Sequence, residues 1–596
     1  MPGASRRSRT PVGALPGPGR GEGERRGRGP ALAAAATIAL AAAAALARAW
    51  PLVPNRLAFG WDAALRTISD LDAASGPLRF LVRLLGPEVW PTLRLAVAAP
   101  LLALGAPPLP TEAALSVAAS AATFLLLGLV AARGARGAAG GVAAVAVAAG
   151  ALAANRAFTA WAGSPMLEAQ SALFTLAATA AWMALREAGA EARVWPVALL
   201  GNLLFHTKFQ YGLIFALAVL ATEAALLPAE ARARAAAALL AAARGWLRRP
   251  AAWAFLLGAL GTAAAAWVVD RTGGVAFRVG PVPVSVRRAA GPAFWSAFLA
   301  FSGLLLGLWR SRAALREAIP RRLRGLWLGL AVPMGAWLLV PFAWRLRMLV
   351  YTAATFEVAA PPPGPLAGLA FYPASLAHDW YGPAGRAGVA AGLLLAGWAA
   401  ARDPVLRRRL AAPAALVAVE LLALGLGTRH NFQPRFAVNL APVVALLAAA
   451  GLPALGGPRL AGGLALAALL GAAAVPAWRP GPLAATLSRG YGDPRVAEAC
   501  ASLTRDLPLR DATLVADLDV DRLKDCVLQV QLQAFRRKVR VVEREPGAPL
   551  AGEVIQLTDR CEAVDPPPGL RLERREGPLC LRLVSAPGAP AAPGSR

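Results

Sequence analysis

Lysine is nearly missing from this chain. The first 523 residues hold a single one, Lys208, although the 596-residue protein carries 62 Lys plus Arg. Arginine supplies every other positive charge in that stretch. Cysteine is equally scarce, with four in all and none before Cys500, and there are only three histidines. Charged residues make up 16% of the chain, against about 25% in an ordinary soluble domain. With 57% hydrophobic residues and a mean hydropathy of +0.51, a soluble globular protein is excluded. The net charge of +28 is then not a nucleic-acid footprint, and no nucleic-acid partner is expected. Its arginines cluster between apolar segments, as cytoplasmic loops require.

Apolar spans fall at 31–49, 113–132, 138–153, 166–185, 195–206, 209–227, 251–269, 293–309, 325–343, 387–401, 411–427, 437–453 and 460–477. A perpendicular helix needs roughly 20 such residues, so the expectation is a mainly α, polytopic bundle of about 13 spans. Residues 92–107 read as a helix lying in the outer interface. Seven arginines between Arg6 and Arg28 keep the N-terminus inside. The other inside loops hold Arg133 and Arg136, Arg232 to Arg249, Arg310 to Arg324, and Arg402 with Arg407 to Arg409. Arg287, Arg288, Arg345 and Arg347 blur the pattern on the other side. An odd number of spans places the C-terminus outside. The organisation expected is a disordered basic cytoplasmic tail at 1–30, a membrane domain at 31–478, an outer domain at 479–585 and a disordered end at 586–596, with the chain multi-pass in the inner (plasma) membrane.

All four cysteines (Cys500, Cys526, Cys561, Cys580) lie behind the last span. An even number in a small polar domain suggests two disulfides in an oxidising periplasmic or extracellular compartment, with Cys561–Cys580 favoured. Zinc is the competing reading, but the spacing contains no CxxC pair. Strand-like runs at 512–517, 539–542 and 553–557, with helical runs at 494–507 and 521–535, give a small α/β domain. Asp517, Asp519 and Asp521 alternate, but the calcium-loop glycine and closing glutamate are missing.

The chemistry-bearing residues gather in the expected outer turns. The long first loop, 50–91, contains Asp62 between aromatic residues, either a reactive carboxylate or the N-cap of the segment after it. Asp70 and Asp72 read as exposed turn or cap residues. The second turn runs from Asn155 to Glu168. Glu168 sits just inside an apolar helix, where a charge demands a partner such as Arg156, Lys208 or a metal ion. The third is Lys208 itself, flanked by His206 and Gln210. An ionisable group at membrane depth is a functional candidate, and an ammonium meets a phosphate oxygen as a point charge; the alternative is a snorkelling anchor. Late loops add Tyr372, His378, Arg429, His430 and Arg435. Cations and carboxylates facing one aqueous cavity suit a phosphate-bearing ligand and an acid/base step.

At these residues the chain resembles the polytopic glycosyltransferases of the C-type membrane fold, in particular the superfamily of protein O-mannosyltransferases and aminoarabinose–lipid A transferases. Asp62 falls where that family has an acidic motif in its first outer loop. Glu168 matches the acidic residue that opens a helix. Gly201 with Thr207-Lys208-Phe209 matches a glycine followed by Thr-Lys-aromatic, and Arg435-Phe436 a late Arg-aromatic element. Order and rough spacing hold over about residues 30–455. The departure is Ala63, where the family usually has a second carboxylate; a divalent cation therefore stays an open cofactor, and none is certain. The resemblance implies a polyprenyl-phosphate sugar donor and transfer to an acceptor at the outer face, the acceptor being a glycan, lipid or protein. Asp62 and Glu168 would be catalytic, and Lys208 and Arg435 would hold the donor phosphate. His206, Gln210, Tyr372, His378, Arg429 and His430 are pocket candidates. A lipid-linked sugar transporter or a catalytically inactive scaffold relative is the competing function.

Overall fold

The computed structural model describes residues 20–49, 67, 69–86, 92–134, 137–164, 166–189, 193–279, 282–286, 289–339, 345–347, 350, 367–427 and 434–451. Beyond these it describes short segments at 499–500, 502–503, 513–517, 540–543, 553–558, 570–577 and 579–585. Asp62, Arg429, His430, Cys526, Cys561 and the thirteenth expected span lie outside the described residues.

Over their described residues, the other twelve spans coincide with helices. Five are by themselves long and apolar enough to cross a membrane: Pro108–Gly134, Pro250–Thr272, Ala290–Arg310, Pro383–Arg402 and Pro404–Leu426. Shorter apolar helices fill in around them. Trp195–Thr207 and Phe209–Ala225 are two of these, separated only by Lys208. At 1.5 Å per residue the first would extend about 20 Å, short of a full crossing. The first helix, Arg20–Ala49, begins ahead of the apolar run that starts at residue 31.

The core is a bundle of the helices at 20–49, 108–134, 137–154, 168–187, 195–225, 404–427 and 441–450. Small residues let them approach closely, as helices in lipid require. A Cβ on Gly128 would lie 2.2 Å from the Ile38 side chain, and one on Gly392 would lie 2.5 Å from the Ala448 carbonyl. Beside the bundle, Pro250–Thr272 and Ala290–Arg310 form a helical hairpin tied by the antiparallel strands β1 (Val275–Val279) and β2 (Val282–Val286). Its outer face leaves Leu257, Leu260, Trp267, Trp295 and Trp309 exposed, the surface that lipid chains would cover.

Two features of the first loop differ from expectation. Residues 69–74 and Pro77–Leu85 are helical, and Asp70 and Asp72 are buried rather than exposed. Arg83 Nε donates to Asp72 at 2.5 Å. The buried Arg94 pairs with Glu112, which also accepts a hydrogen bond from Thr67 at 2.9 Å. Carboxylates in an apolar setting need such partners. The expected interfacial segment is the helix Thr92–Ala103, which carries Arg94. The arginine-rich stretch after residue 228 is a further helix, Ala229–Leu247, bent by 118° from Phe209–Ala225.

The C-terminal part carries a five-stranded sheet ordered β4-β3-β5-β7-β6. Strands β3 (Thr513–Asp517), β4 (Arg540–Glu543) and β5 (Glu553–Thr558) match the three strand-like runs, and β3 pairs parallel with both neighbours. The hairpin β6 (Leu570–Glu576) and β7 (Leu579–Ser585) is additional. Cys580 on β7 lies opposite Thr558, the last residue of β5, three residues before Cys561 in the chain. Cys500 and Cys580 are fully buried, and among the described residues no cysteine is free.

Candidate functional site

Lys208 occupies a one-residue break. Its extended backbone (φ −154°, ψ 105°) ends one helix and starts the next. Its N–H still donates to the Leu204 carbonyl at 2.9 Å, while its own carbonyl accepts from Tyr211 N–H at 3.0 Å. The break is possible because the two helices touch backbone to backbone. A Cβ on Gly212 would fall 2.3 Å from the Phe205 Cα. The ammonium sits at the C-terminal end of the first helix, where the helix dipole favours a cation.

Glu168 is the first residue of Glu168–Glu187, where the dipole favours an anion. It is only 1% exposed, and its partner among the sequence-level options is Lys208: Nζ lies 3.2 Å from Oε1. The same ammonium donates to the Tyr211 hydroxyl at 3.2 Å. Arg435 joins from the 3-10 helix Pro434–Leu440. The Phe436 ring lies near both cations, 5.2 Å from Lys208 Nζ and 5.4 Å from Arg435 Cζ. The Arg435 guanidinium also lies 6.0 Å from the Trp161 ring. All three are cation–π distances. The structure thus brings together Glu168, Lys208 and Arg435, and adds the buried Tyr372 within electrostatic reach of Tyr211.

A second carboxylate belongs to this cluster and was missed in the sequence. Glu420, on Pro404–Gly427, is 1% exposed, hydrogen-bonds Asn439 and is attracted by Lys208. Asn439 in turn donates to Thr175 at 3.2 Å. The signal was present: Glu420 is the sole charged residue between 410 and 427, and an ionisable group at membrane depth marks a site.

Of the other pocket candidates among the described residues, His206 and His378 turn elsewhere. His206 turns to Thr92, whose hydroxyl lies 2.8 Å from Nδ1, and packs against the Phe205 and Trp337 rings. Arg345 covers the far side of Trp337 at 4.2 Å. Gln210 is half-buried on the second residue of its helix. Tyr372 and His378, expected in a loop, lie on the helix Ala367–His378, which accommodates Pro373. His378 is exposed and contacts Arg386 at 3.1 Å. The turns are nevertheless linked: Arg156 N–H donates to the Trp380 carbonyl at 2.7 Å. Burial, with Arg386 nearby and Asp379 opposing, holds the Arg156 guanidinium below its ordinary value. Among the described residues no group of three His, Cys, Asp or Glu side chains could hold a metal ion.

The opposite end of the same helices carries a second polar layer. Glu223 accepts from Trp182 Nε1 at 2.8 Å, Arg186 at 3.0 Å and Arg322 at 2.8 Å. Between Glu168 and Arg186 the helix has no charged residue. At 1.5 Å per residue the two layers are about 27 Å apart along it, close to the thickness of a hydrocarbon core.

No protein-family model matches the sequence, and no curated protein matches it at a significant level. Among solved structures the chain is similar to an ArnT and to an oligosaccharyltransferase. The crystal structure of ArnT from Cupriavidus metallidurans bound to undecaprenyl phosphate is 13% identical, with a TM-score of 0.48, over 92% of this chain and 97% of that one. The apo oligosaccharyltransferase of Archaeoglobus fulgidus is 12% identical, with a TM-score of 0.46, over 88% of this chain. The same oligosaccharyltransferase tethered to an acceptor peptide scores 0.42 at 12% identity. The chain spans 65% of the length of that oligosaccharyltransferase. Likeness this distant transfers no residue's role, and the functional reading stands on the side chains.

Proposed function

We propose that the chain is an integral membrane glycosyltransferase that takes a sugar from a polyprenyl-phosphate donor and transfers it at the outer face. The observation that carries the reading is the pair of cations, Lys208 and Arg435, converging on Phe436 at the end of the bundle opposite the arginine-rich layer. That layer, with Arg186, Arg322, Arg408 and Arg409, belongs inside by the positive-inside rule. The Lys208 end then faces out.

Lys208 and Arg435 would bind the phosphate oxygens. Glu168, 3.2 Å from Lys208, would fix the ammonium and keep it charged. An acceptor hydroxyl attacks the anomeric carbon, the sugar–phosphate C–O bond breaks, and the polyprenyl phosphate leaves with the bonding pair. Two cations aimed at that oxygen stabilise the charge as it grows, the effect on which such sites chiefly depend. Asp62, outside the described residues, would take the hydroxyl proton as general base. The C-terminal domain would be held by two disulfides outside the membrane, Cys561–Cys580 being supported by the position of Cys580 opposite Thr558.

The test uses full-length protein in lipid nanodiscs with isotope-labelled polyprenyl-phosphate sugars and a panel of acceptors. Transfer or hydrolysis of the label that disappears in Asp62→Asn is expected. A label carried unchanged across a liposome bilayer would instead indicate a transporter, and a label left untouched would indicate a scaffold.

A further inference from the structure

Among the described residues, the Lys208 end of the bundle brings together Lys208 and Arg435, positive, and Glu168 and Glu420, carboxylates. A phosphate anion docked on the two cations would add a negative charge beside these buried carboxylates, which is costly. Glu168 is poorly suited to relieve it, because it is bonded to the Lys208 ammonium at 3.2 Å.

Glu420 is placed differently. It is fully enclosed, its hydrogen-bond partner is the neutral amide of Asn439, and among the described residues its Oε1 has no hydrogen-bond partner. A protonated Glu420 can donate, and the neighbouring Asn439 Oδ1, likewise without a partner among the described residues, is an acceptor. The neighbouring elements bring no better proton carrier. Glu168–Glu187 contributes Glu168, Phe209–Ala225 contributes Tyr211, Ala367–His378 contributes Tyr372, and the 3-10 helix contributes Arg435. His378 lies on Arg386, Arg402 stacks on Trp398, and Ala441–Ala450 has no titratable side chain.

We propose that Glu420 is a charge-compensating residue that carries a proton whenever a phosphate anion sits on Lys208 and Arg435. The inference rests on the phosphate-site reading above and adds a residue and a proton to it. A phosphodiester would then bind better at low pH. Affinity would stay flat while Glu420 is already protonated in the unliganded protein. It would fall about tenfold per pH unit once Glu420 is ionised there, with uptake of about one proton per ligand.

The probe is a polyprenyl methyl phosphate, a diester with one non-titrating charge and no sugar to transfer. Its binding to the full chain in nanodiscs is measured by calorimetry from about pH 6 to about pH 9, in buffers of different ionisation enthalpy. The parent is expected to show proton uptake that rises with pH, and Glu420→Gln is expected to bind with little uptake and a flat profile. The isosteric amide keeps the Asn439 contact, and its near-ultraviolet circular dichroism verifies folding. Equal uptake and slope in Glu420→Gln and the parent would overturn the role of Glu420. No binding by the parent at any pH would overturn the phosphate site itself.

Discussion

At the scale of single residues, the Glu168–Lys208 pair is the feature most open to measurement. Glu168 is almost wholly enclosed, so Lys208→Met would take an ion-pair partner from its buried charge. The expected loss is about 3–5 kcal/mol, the typical result of removing one partner of a buried pair. Adding Glu168→Gln to that variant should recover most of it, since a neutral amide needs no counter-ion. Thermal unfolding of the two variants in nanodiscs measures both effects; equal stability of the single and double variants would show that the pair does not hold this end together. Glu168, Lys208 and Arg435 were legible because each is an isolated charge at the edge of an apolar run. Glu420 carried the same signal in the middle of its run, but no neighbouring motif drew attention to it. Its partners, Lys208 and Asn439, come from other helices. His206 and His378 misled for the reverse reason. Their position at outer turns placed them near the site in sequence, yet His206 points to Thr92 and Trp337 and His378 to Arg386. Side-chain direction on a helix is set by which face packs, and a residue two positions from Lys208 faces another way.

At the scale of elements, the close crossing at Gly212 decides whether Lys208 can stand in a helix break. A methyl there would overlap Phe205. Gly212→Ala should cost about 1–3 kcal/mol, the usual penalty for overpacking, and should displace Lys208. Gly261→Ala, where a Cβ meets open space, should be neutral or slightly stabilising because alanine is the better helix former. Thermal unfolding of the pair provides the check. Most long helices were readable from apolar length alone. What escaped were elements whose pattern is not apolar: the arginine-rich helix Ala229–Leu247, the amphipathic helix Pro77–Leu85 and the hairpins β1–β2 and β6–β7. Arginine-rich segments read as loops by charge, and β6 has charges at five of its seven positions. Its packing depends on the pair formed by the buried Arg582 with Glu573, which no local pattern shows.

At the scale of the whole molecule, two polar layers bound one apolar slab, and a β-sheet follows in the C-terminal part. In sealed cells a cysteine placed at Ala384, beside the His378–Arg386 contact, should react with a membrane-impermeant maleimide. One placed at Ala188, beyond the Arg186 layer, should react only after permeabilisation. Labelling of both from the same side would remove the outward orientation. The C-terminal domain has its own pH response. Hydrogen bonds from Arg575 and Arg582 hold the Glu573 carboxyl below its ordinary 4.5. A depressed carboxylate adds stability that is present above the unfolded value and is lost as pH falls through the folded one. Amide protection over residues 570–585 of the full chain, measured relative to intrinsic exchange at each pH, should therefore fall below about pH 4.5, and less so in Glu573→Gln. The central claim is that the Lys208 ammonium stabilises a phosphate leaving group. It is tested most directly by single-turnover transfer from a saturating polyprenyl-phosphate sugar, comparing the parent with Lys208→Ala. A rate loss of about 10²–10³-fold with the donor still bound is expected, as for other removed charge-stabilising groups. A rate in the variant within about twofold of the parent would contradict the claim, because a lost leaving-group contact cannot leave the chemical step unchanged.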